Sequence, residues 1–239
     1  MLLLALAIAP GLAISLFIYS RDRFDREPKR FLILAFVLGM LATIPPLIIQ
    51  ILSGDSQRHS ILHSVLGYAF YSYVIVALSE EASKFLVLRF YAYPKQTFNE
   101  PFDGIVYAVM IGMGFATIEN IEYVERFGFR TGLVRFFLSV PAHASFAVLM
   151  GYYVGMAKAN RPKSFLLMVK ALLVPVFFHG SFDFFIFLQK DQRITDYLSE
   201  GLLSFGAFVT FYIALRLALR TIRLHQLNVM DKRNSGLVD

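Results

Sequence analysis

The 239-residue chain is 57% hydrophobic and 17% charged, and its mean hydropathy is +0.60. Soluble domains carry roughly 25% charged residues, so this composition excludes an ordinary soluble domain, and the absence of cysteine excludes disulfides and thiolate sites. The net charge of +6 comes largely from Lys and Arg in the short connections and the C-terminal tail, a placement that sets membrane orientation and argues against a nucleic-acid partner.

Apolar stretches long enough to cross a hydrocarbon core of about 30 Å recur along the chain. They predict an all-α, polytopic transmembrane bundle that forms one domain over residues 1–239. The first stretch lacks a basic leader and a cleavage site of small residues, so we interpret it as a span and not as a cleaved signal peptide. Seven spans are predicted, at about 1–19, 31–52, 65–92, 103–123, 133–157, 164–188 and 197–219.

The distribution of basic residues predicts how these spans are oriented. Residues 21–30 contain five Lys and Arg residues, whereas residues 53–60 contain only Arg58. Basic connections stay on the cytoplasmic side, which favours an outer N-terminus and a cytoplasmic C-terminus in a bacterial cell membrane, with the lipid bilayer as surroundings.

Local sequence predicts where individual spans bend or pack closely. Residues 61–92 would measure about 48 Å as a helix, so we expect 61–69, with His59 and His63, to lie along the outer interface and the span to begin near Phe70. Prolines are expected to interrupt helices, and glycines to allow close helix approach. The prolines are Pro45, Pro46, Pro141 and Pro175, and the glycines are Gly112, Gly114, Gly151 and Gly155.

Seven ionisable residues lie inside or at the edges of the apolar runs. A charge at the centre of a span costs about 2.5–3.5 kcal/mol, so these side chains must face one another or water in a shared cavity. Spacing of four residues places Glu80 with Lys84, and His179 with Asp183, on common helix faces. The full set is Glu80, Glu81, Lys84, Glu119, His143, His179 and Asp183.

Depth along the predicted spans also favours a shared site. Counted from the outer ends of their spans, His143 and His179 both lie about 15 Å deep, and Glu80 and Glu81 fall at a similar level. Glu119 is expected nearer the outer surface.

Carboxylates beside imidazoles can move the protons that peptide hydrolysis requires. The sequence has no His-Glu-x-x-His and no Gly-x-Ser-x-Gly motif. Three alternatives stay open: a Zn²⁺ enzyme with His143, His179, Asp183 and a glutamate as ligands, a proton-coupled transporter or channel, and a non-catalytic scaffold.

The ionisable residues lie in motifs that resemble those of a known family. Residues 79–84 (Ser-Glu-Glu-Ala-Ser-Lys) resemble the Glu-Glu-x-x-Lys signature of the PrsW intramembrane proteases. Residues 102–108 and 112–120, the segment around His143, and the run from His179 to Asp183 resemble that family's other blocks. The set is also similar to the CAAX-type prenyl endopeptidases. It departs from their pattern at Asp183, where they have Asn, and at Lys84, since their Arg occurs one residue later.

The resemblance implies a glutamate-dependent intramembrane endopeptidase with a motif core at about 79–183. Our hypothesis makes Glu80, Glu81, His143, His179 and Asp183 catalytic, without a metal or other cofactor. Glu81 is the preferred general base, together with His143, while His179 and Asp183 stabilise the oxyanion or protonate the leaving amine. Substrate-binding roles fall to Glu119, Asn120 and Lys84. The implied substrate is a single-span membrane protein, an anti-sigma factor cut at its first site.

Overall fold

The computed structural model describes residues 1–22, 25–53 and 64–234, with side chains as far as residue 224. Within those ranges the chain is helical and contains no β-strand, which confirms the predicted all-α bundle. His59, His63 and the first part of the predicted interfacial segment lie outside the described residues.

The second predicted span is divided into two helices. Helix α1 covers Leu2–Arg21, and it is followed by α2 (Lys29–Leu41) and α3 (Ile44–Leu52). Pro45 and Pro46 occupy the first turn of α3, where helices tolerate proline. Because Pro46 has no N–H to donate to the carbonyl of Ala42, that oxygen accepts a hydrogen bond from the hydroxyl of Ser83, at 2.6 Å.

The third predicted span is one continuous helical stretch whose winding changes along its length. Helices α4 (Val65–Phe70) and α5 (Ser79–Val87) alternate with the π-helical segments Tyr71–Leu78 and Leu88–Ala92. The helix begins at Val65 and not near Phe70, with the Ser64 hydroxyl accepting a hydrogen bond from the Gly67 N–H. A π-segment widens the turn and is often found at functional sites, and here it directly precedes Glu80 and Glu81.

Helix α6 (Pro101–Phe137) is the central helix, and every residue from 102 to 117 is buried. Its path reverses at Gly128, whose φ of 76° and ψ of −165° are essentially restricted to glycine. A Cβ on Gly132 would touch the side chains of Val124 and Leu6, so residues 129–137 fold back against the first arm of α6. The connection expected at 124–132 is therefore present as a reversal at Gly128, although the residues on both sides of it are helical, and we call residues 129–137 the return arm.

The fifth span begins later than predicted. Leu138 breaks the helix with φ of −118°, and α7 covers Ser139–Ala159. Pro141 lies in the first turn of α7, and the helix break at Leu138 falls about one turn before it, as predicted for a proline at this position. A 3-10 turn at Arg161–Lys163 leads to α8 (Ser164–Leu188), which has the predicted bounds. The helix continues through Pro175, so the interruption predicted there is not observed. The chain then forms α9 (Gln192–Thr195) and α10 (Glu200–Asn234).

Close helix packing at glycine is confirmed on both sides of α6. A Cβ on Gly114 would overlap the backbone of Phe36 in α2, and one on Gly39 of α2 would overlap the backbone of Ile111. On the α7 side, Gly151 meets the backbone of Gly104, and Gly155 meets Pro101. Gly112 faces the methyl group of Ala147. Helices α2, α6 and α7 thus touch backbone to backbone.

Five helical stretches of the described residues are long and apolar enough to cross a membrane. One of them covers Pro101–Ala159, and its 59 residues include the breaks at Gly128 and Leu138. At 1.5 Å per residue it would measure about 88 Å, so it supplies more than one crossing. Residues 65–92 are helical too, although their charged residues keep them out of the five.

Candidate active site

The seven ionisable residues predicted from the sequence come together in the interior of the bundle. Helix α5 supplies Glu80, Glu81 and Lys84, and α6 supplies Glu119. His143 comes from the second turn of α7, and His179 with Asp183 from one face of α8. The cost of placing charges in a membrane predicted that these side chains would share one cavity, and the structure confirms that they do. The chemical role of each residue stays a prediction.

Lys84 lies at the centre of this cluster. Its Nζ is 2.7 Å from Oε1 of Glu81 and 3.6 Å from Oε2 of Glu80. The same atom is 3.4 Å from Nδ1 of His143 and 4.1 Å above the ring centre of Phe115. Because an ammonium group can only donate, Nδ1 of His143 must accept, and the ring proton lies on Nε2.

His179 is held between carboxylates on both sides of its ring. Nδ1 lies 2.8 Å from Oε1 of Glu81, and Nε2 lies 3.3 Å from Oδ2 of Asp183. Phe146 stacks on the ring at a centroid distance of 5.3 Å, which fixes its plane. The predicted His179–Asp183 pairing is present, and the added contact with Glu81 links it to α5.

His143 belongs to a second chain of charged contacts. Its Nε2 lies 2.8 Å from Oε2 of Glu119, and the same oxygen lies 3.1 Å from Nη2 of Arg135, although neither approach has the alignment of a hydrogen bond. Glu119 is therefore part of the site, and its side chain, at 19% exposed, is more accessible than those of Glu80, Glu81, His143 and His179. Its expected position nearer the outer surface stays a prediction. Because α7 begins at Ser139, His143 lies closer to the start of its helix than we counted, and its ring lies 5.1 Å from that of His179.

Asn120 lies behind this chain of contacts. Its Oδ1 accepts a hydrogen bond of 2.6 Å from Nε of Arg135, and its Nδ2 donates to the carbonyl of Ala7 at 3.3 Å. The side chain is fully buried between α1 and the return arm. Its predicted contact with substrate stays a prediction, while its observed contacts hold Arg135.

Four neighbours of the cluster were not predicted. Gln50 of α3 donates a 3.4 Å hydrogen bond to Oε1 of Glu80, and the hydroxyls of Tyr73 and Ser181 lie 2.7 Å apart. Arg135 was missed because a basic residue near a predicted helix end indicates a membrane boundary. A buried arginine has no signal of its own in a single sequence.

Part of the cluster has the composition of a metal site. Among the described residues, Glu80, His143 and His179 each offer a ligand atom, and these atoms lie within 4.8 Å of one another. Two imidazoles and one carboxylate are a donor set that suits zinc. Asp183, proposed as a ligand from the sequence, does not belong to this group and instead contacts Nε2 of His179.

Buried carboxylate oxygens without hydrogen-bond partners also support a metal site. Oε2 of Glu80 and Oε2 of Glu81 are buried, and neither has a hydrogen-bond partner in the described part of the chain. The four carboxylates of the cluster face two basic side chains, Lys84 and Arg135, so its formal charge is −2 with neutral imidazoles. A divalent cation would balance that charge, and the residues therefore fit such an ion.

Comparisons with known proteins agree with the motifs. A family model described as PrsW family intramembrane metalloprotease matches residues 27–218. The Protease PrsW of Geobacillus kaustophilus is 36% identical over 189 residues, which cover 79% of this chain and 81% of that relative. For the Protease PrsW of Bacillus subtilis the identity is 34% over 185 residues, covering 77% and 82%.

The Protease PrsW of Oceanobacillus iheyensis matches over a longer region. It is 32% identical over 226 residues, 95% of this chain and 96% of the relative. No solved structure matches the chain significantly.

Proposed function

The chain belongs to the PrsW family of intramembrane proteases, and we propose that its peptidase activity depends on the buried glutamate and histidine cluster. The observation that carries the proposal is the convergence of four carboxylates and two imidazoles from four helices inside a membrane bundle. Since each such group is costly to insert, a structural role alone does not account for the set.

Glu80, His143 and His179 are the residues that would hold a divalent metal ion, and zinc is the ion that this donor set favours. When bound, such an ion supplies Lewis-acid activation of water and of the scissile carbonyl. Glu81 and Glu119 orient the two imidazoles through contacts of 2.8 Å, the way in which carboxylates commonly fix metal-binding histidines.

Glu81 is the general base in this proposal. Its Oε1 is fixed by Lys84 and by Nδ1 of His179, which leaves the buried Oε2 available to a proton. Oε2 takes the proton of the attacking water, whose oxygen bonds to the carbonyl carbon. The proton then passes to the leaving amine as the carbon–nitrogen bond breaks. Lys84, at 2.7 Å, stabilises the charge of the carboxylate before the transfer.

Asp183 has a supporting role beside His179. Its Oδ2 lies 3.3 Å from Nε2 of the ring, and its side chain is 16% exposed, more than those of Glu80, Glu81 or His179. This exposure supports a position of Asp183 on the accessible side of the cluster. In the proposal Asp183 acts there with His179 to stabilise the oxyanion or to protonate the leaving amine.

The proposed substrate is a single-span membrane protein, and the class that the motif resemblance implies is an anti-sigma factor cut at its first site. A substrate anchored in the bilayer reaches an intramembrane site by lateral diffusion. The alternative of a proton-coupled transporter or channel would use the same residues, but membership of a protease family favours peptide hydrolysis.

Co-expression with a candidate single-span substrate tests the proposal. Glu81→Gln removes the base without changing the side-chain volume, and we expect loss of cleavage with unchanged expression and folding. Glu122→Gln is the matched control, since Glu122 lies on α6 in an ion pair with Arg126 at the surface of the bundle. Cleavage by Glu81→Gln at the wild-type rate would remove the glutamate from the mechanism.

A further inference from the structure

We propose that Arg135 is a positioning residue for catalysis, acting through Glu119 on His143. The inference rests on the proposed function, because it assumes that His143 works in the active site. It concerns a residue outside the recognised motifs, which the return arm of α6 delivers to the cluster.

The return arm shows an inverted distribution of side chains. Phe129, Leu133, Val134 and Phe137 are exposed on the surface of the bundle, whereas Arg135 is buried. In a segment facing water the arginine would point outward and the large apolar residues inward. The reversed pattern fits a segment that faces lipid and turns its one buried charge toward the active site.

The contacts of Arg135 fix both the guanidinium group and Glu119. Nε donates a 2.6 Å hydrogen bond to Asn120, and the guanidinium carbon lies 4.1 Å above the ring centre of Tyr123. Nη2 then lies 3.1 Å from Oε2 of Glu119. Held on three sides, the guanidinium provides a fixed positive charge that balances the buried carboxylate.

Glu119 passes this effect on to His143. Oε2 of Glu119 lies 2.8 Å from Nε2 of His143, whose other nitrogen faces Lys84 at 3.4 Å. An ionised Glu119 keeps the ring proton on Nε2 and leaves Nδ1 directed into the cluster. Without Arg135 the buried Glu119 would lack its counter-charge, and the ring would lose the contact that selects its tautomer and orientation.

A matched ion pair on the same helix provides the control. Arg126 lies 2.9 Å from Glu122, but their side chains are 67% and 36% exposed, compared with 10% and 19% for Arg135 and Glu119. Exposed pairs contribute little, so the loss of Arg126 should leave both activity and stability near wild type.

The experiment measures kcat, KM and thermal unfolding for purified Arg135→Met, Arg135→Lys and Arg126→Met enzymes in detergent. We expect Arg135→Met to lower kcat about 10- to 100-fold with little change in KM, as is typical when a residue supporting a ligand is lost. Arg135→Lys retains the charge and should recover most of that loss. Arg126→Met should keep the wild-type kcat.

A double variant decides whether Arg135 acts through Glu119. In a Glu119→Gln background, Arg135→Met should change kcat by less than about threefold, because coupled residues are not additive. Three results would each overturn the inference. They are an equal loss of kcat in Arg135→Met and Arg135→Lys, effects on kcat that are fully additive with Glu119→Gln, and a wild-type kcat in Arg135→Met. If Arg135→Met does not fold, Arg135→Gln takes its place, alone and in the Glu119→Gln background, with the same expected results.

Failure of this inference can be told apart from failure of the proposed function. A His143→Ala enzyme that still cleaves substrate would refute the proposed function itself. An inactive His143→Ala beside a fully active Arg135→Met would refute only the role of Arg135.

Discussion

Substitution of Gly128 by alanine tests the reversal of α6 directly. Gly128 has φ of 76° and ψ of −165°, and a Cβ placed there would meet no atom of the described residues within 4 Å. The only penalty is therefore backbone strain, since this region of conformational space is essentially restricted to glycine. Relief of the strain would move the return arm and draw Arg135 away from Glu119.

The size of the effect follows from two opposing contributions. Strain of this kind costs about 1–3 kcal/mol, while alanine lowers the entropy of the unfolded chain and returns about 0.4–1 kcal/mol. A net loss of about 1–2 kcal/mol reduces the ratio of folded to unfolded protein about 5- to 30-fold. For a chain of this length it corresponds to a Tm lower by about 2–8 °C.

Thermal or denaturant unfolding of the purified protein in detergent would measure this difference. Gly201→Ala is the matched control, because Gly201 lies in α10 with ordinary helical geometry and its added Cβ would meet only Ser199 Oγ, at 4.0 Å. We expect that control to be neutral or more stable by up to about 1 kcal/mol. Equal stability of the two variants would refute the strained reversal at Gly128.

Three further predictions concern the metal, the helix packing and pH. Treatment with a strong chelator should abolish cleavage without loss of helix content, and Zn²⁺ should restore it; full activity after chelation would exclude the metal. Gly151→Leu should lower the free energy of unfolding by at least about 1–3 kcal/mol, because its side chain would overlap the backbone of Gly104, and a Tm equal to that of Gly201→Leu would contradict the packing. Burial raises the pKa of the Asp22 carboxyl to about 6, so the free energy of unfolding should fall as the pH rises from about 4 to about 6. Unfolding curves measured across this pH range should lose that fall in Asp22→Asn. The same pH dependence in Asp22→Asn and wild type would contradict this role of Asp22.

Much of the bundle and of the site could be predicted from the sequence because insertion into lipid restricts both. Apolar length identified the spans, and the cost of buried charge predicted that Glu81, His143 and His179 share a cavity. Helical spacing correctly paired His179 with Asp183. These predictions depend on the spacing of residues and on how costly each side chain is to place in lipid, and both can be derived from a single sequence.

The exact position of the reversal at Gly128 and the helical path of the return arm could not be predicted, because they depend on tertiary contacts. Residues 124–132 contain glycines and charges that are typical of a loop, and only the fold places Gly132 against Val124. Arg135 was missed for the same reason. The break near Pro141 was predicted because a proline frees a carbonyl one turn earlier, and Leu138 marks that break.

The winding of the third span was also invisible in its sequence. Tyr71–Leu78 is a π-helix, yet its aromatic and β-branched residues resemble those of any apolar span. Hydropathy indicates how apolar a helical turn is, but not how many residues the turn contains. The directions in which Glu80 and Glu81 point depend on the number of residues per turn before them.

The glycine contacts of α6 restrict how the protein can admit a substrate. Where Gly39 lies on Ile111 and Gly151 on Gly104, main chain rests on main chain, so no rotamer change can widen the seams between α2, α6 and α7. A transmembrane helix about 10 Å across has to pass between other elements. We therefore expect a transmembrane substrate to enter between other helices of the bundle and not along the seams that α2 and α7 form with α6.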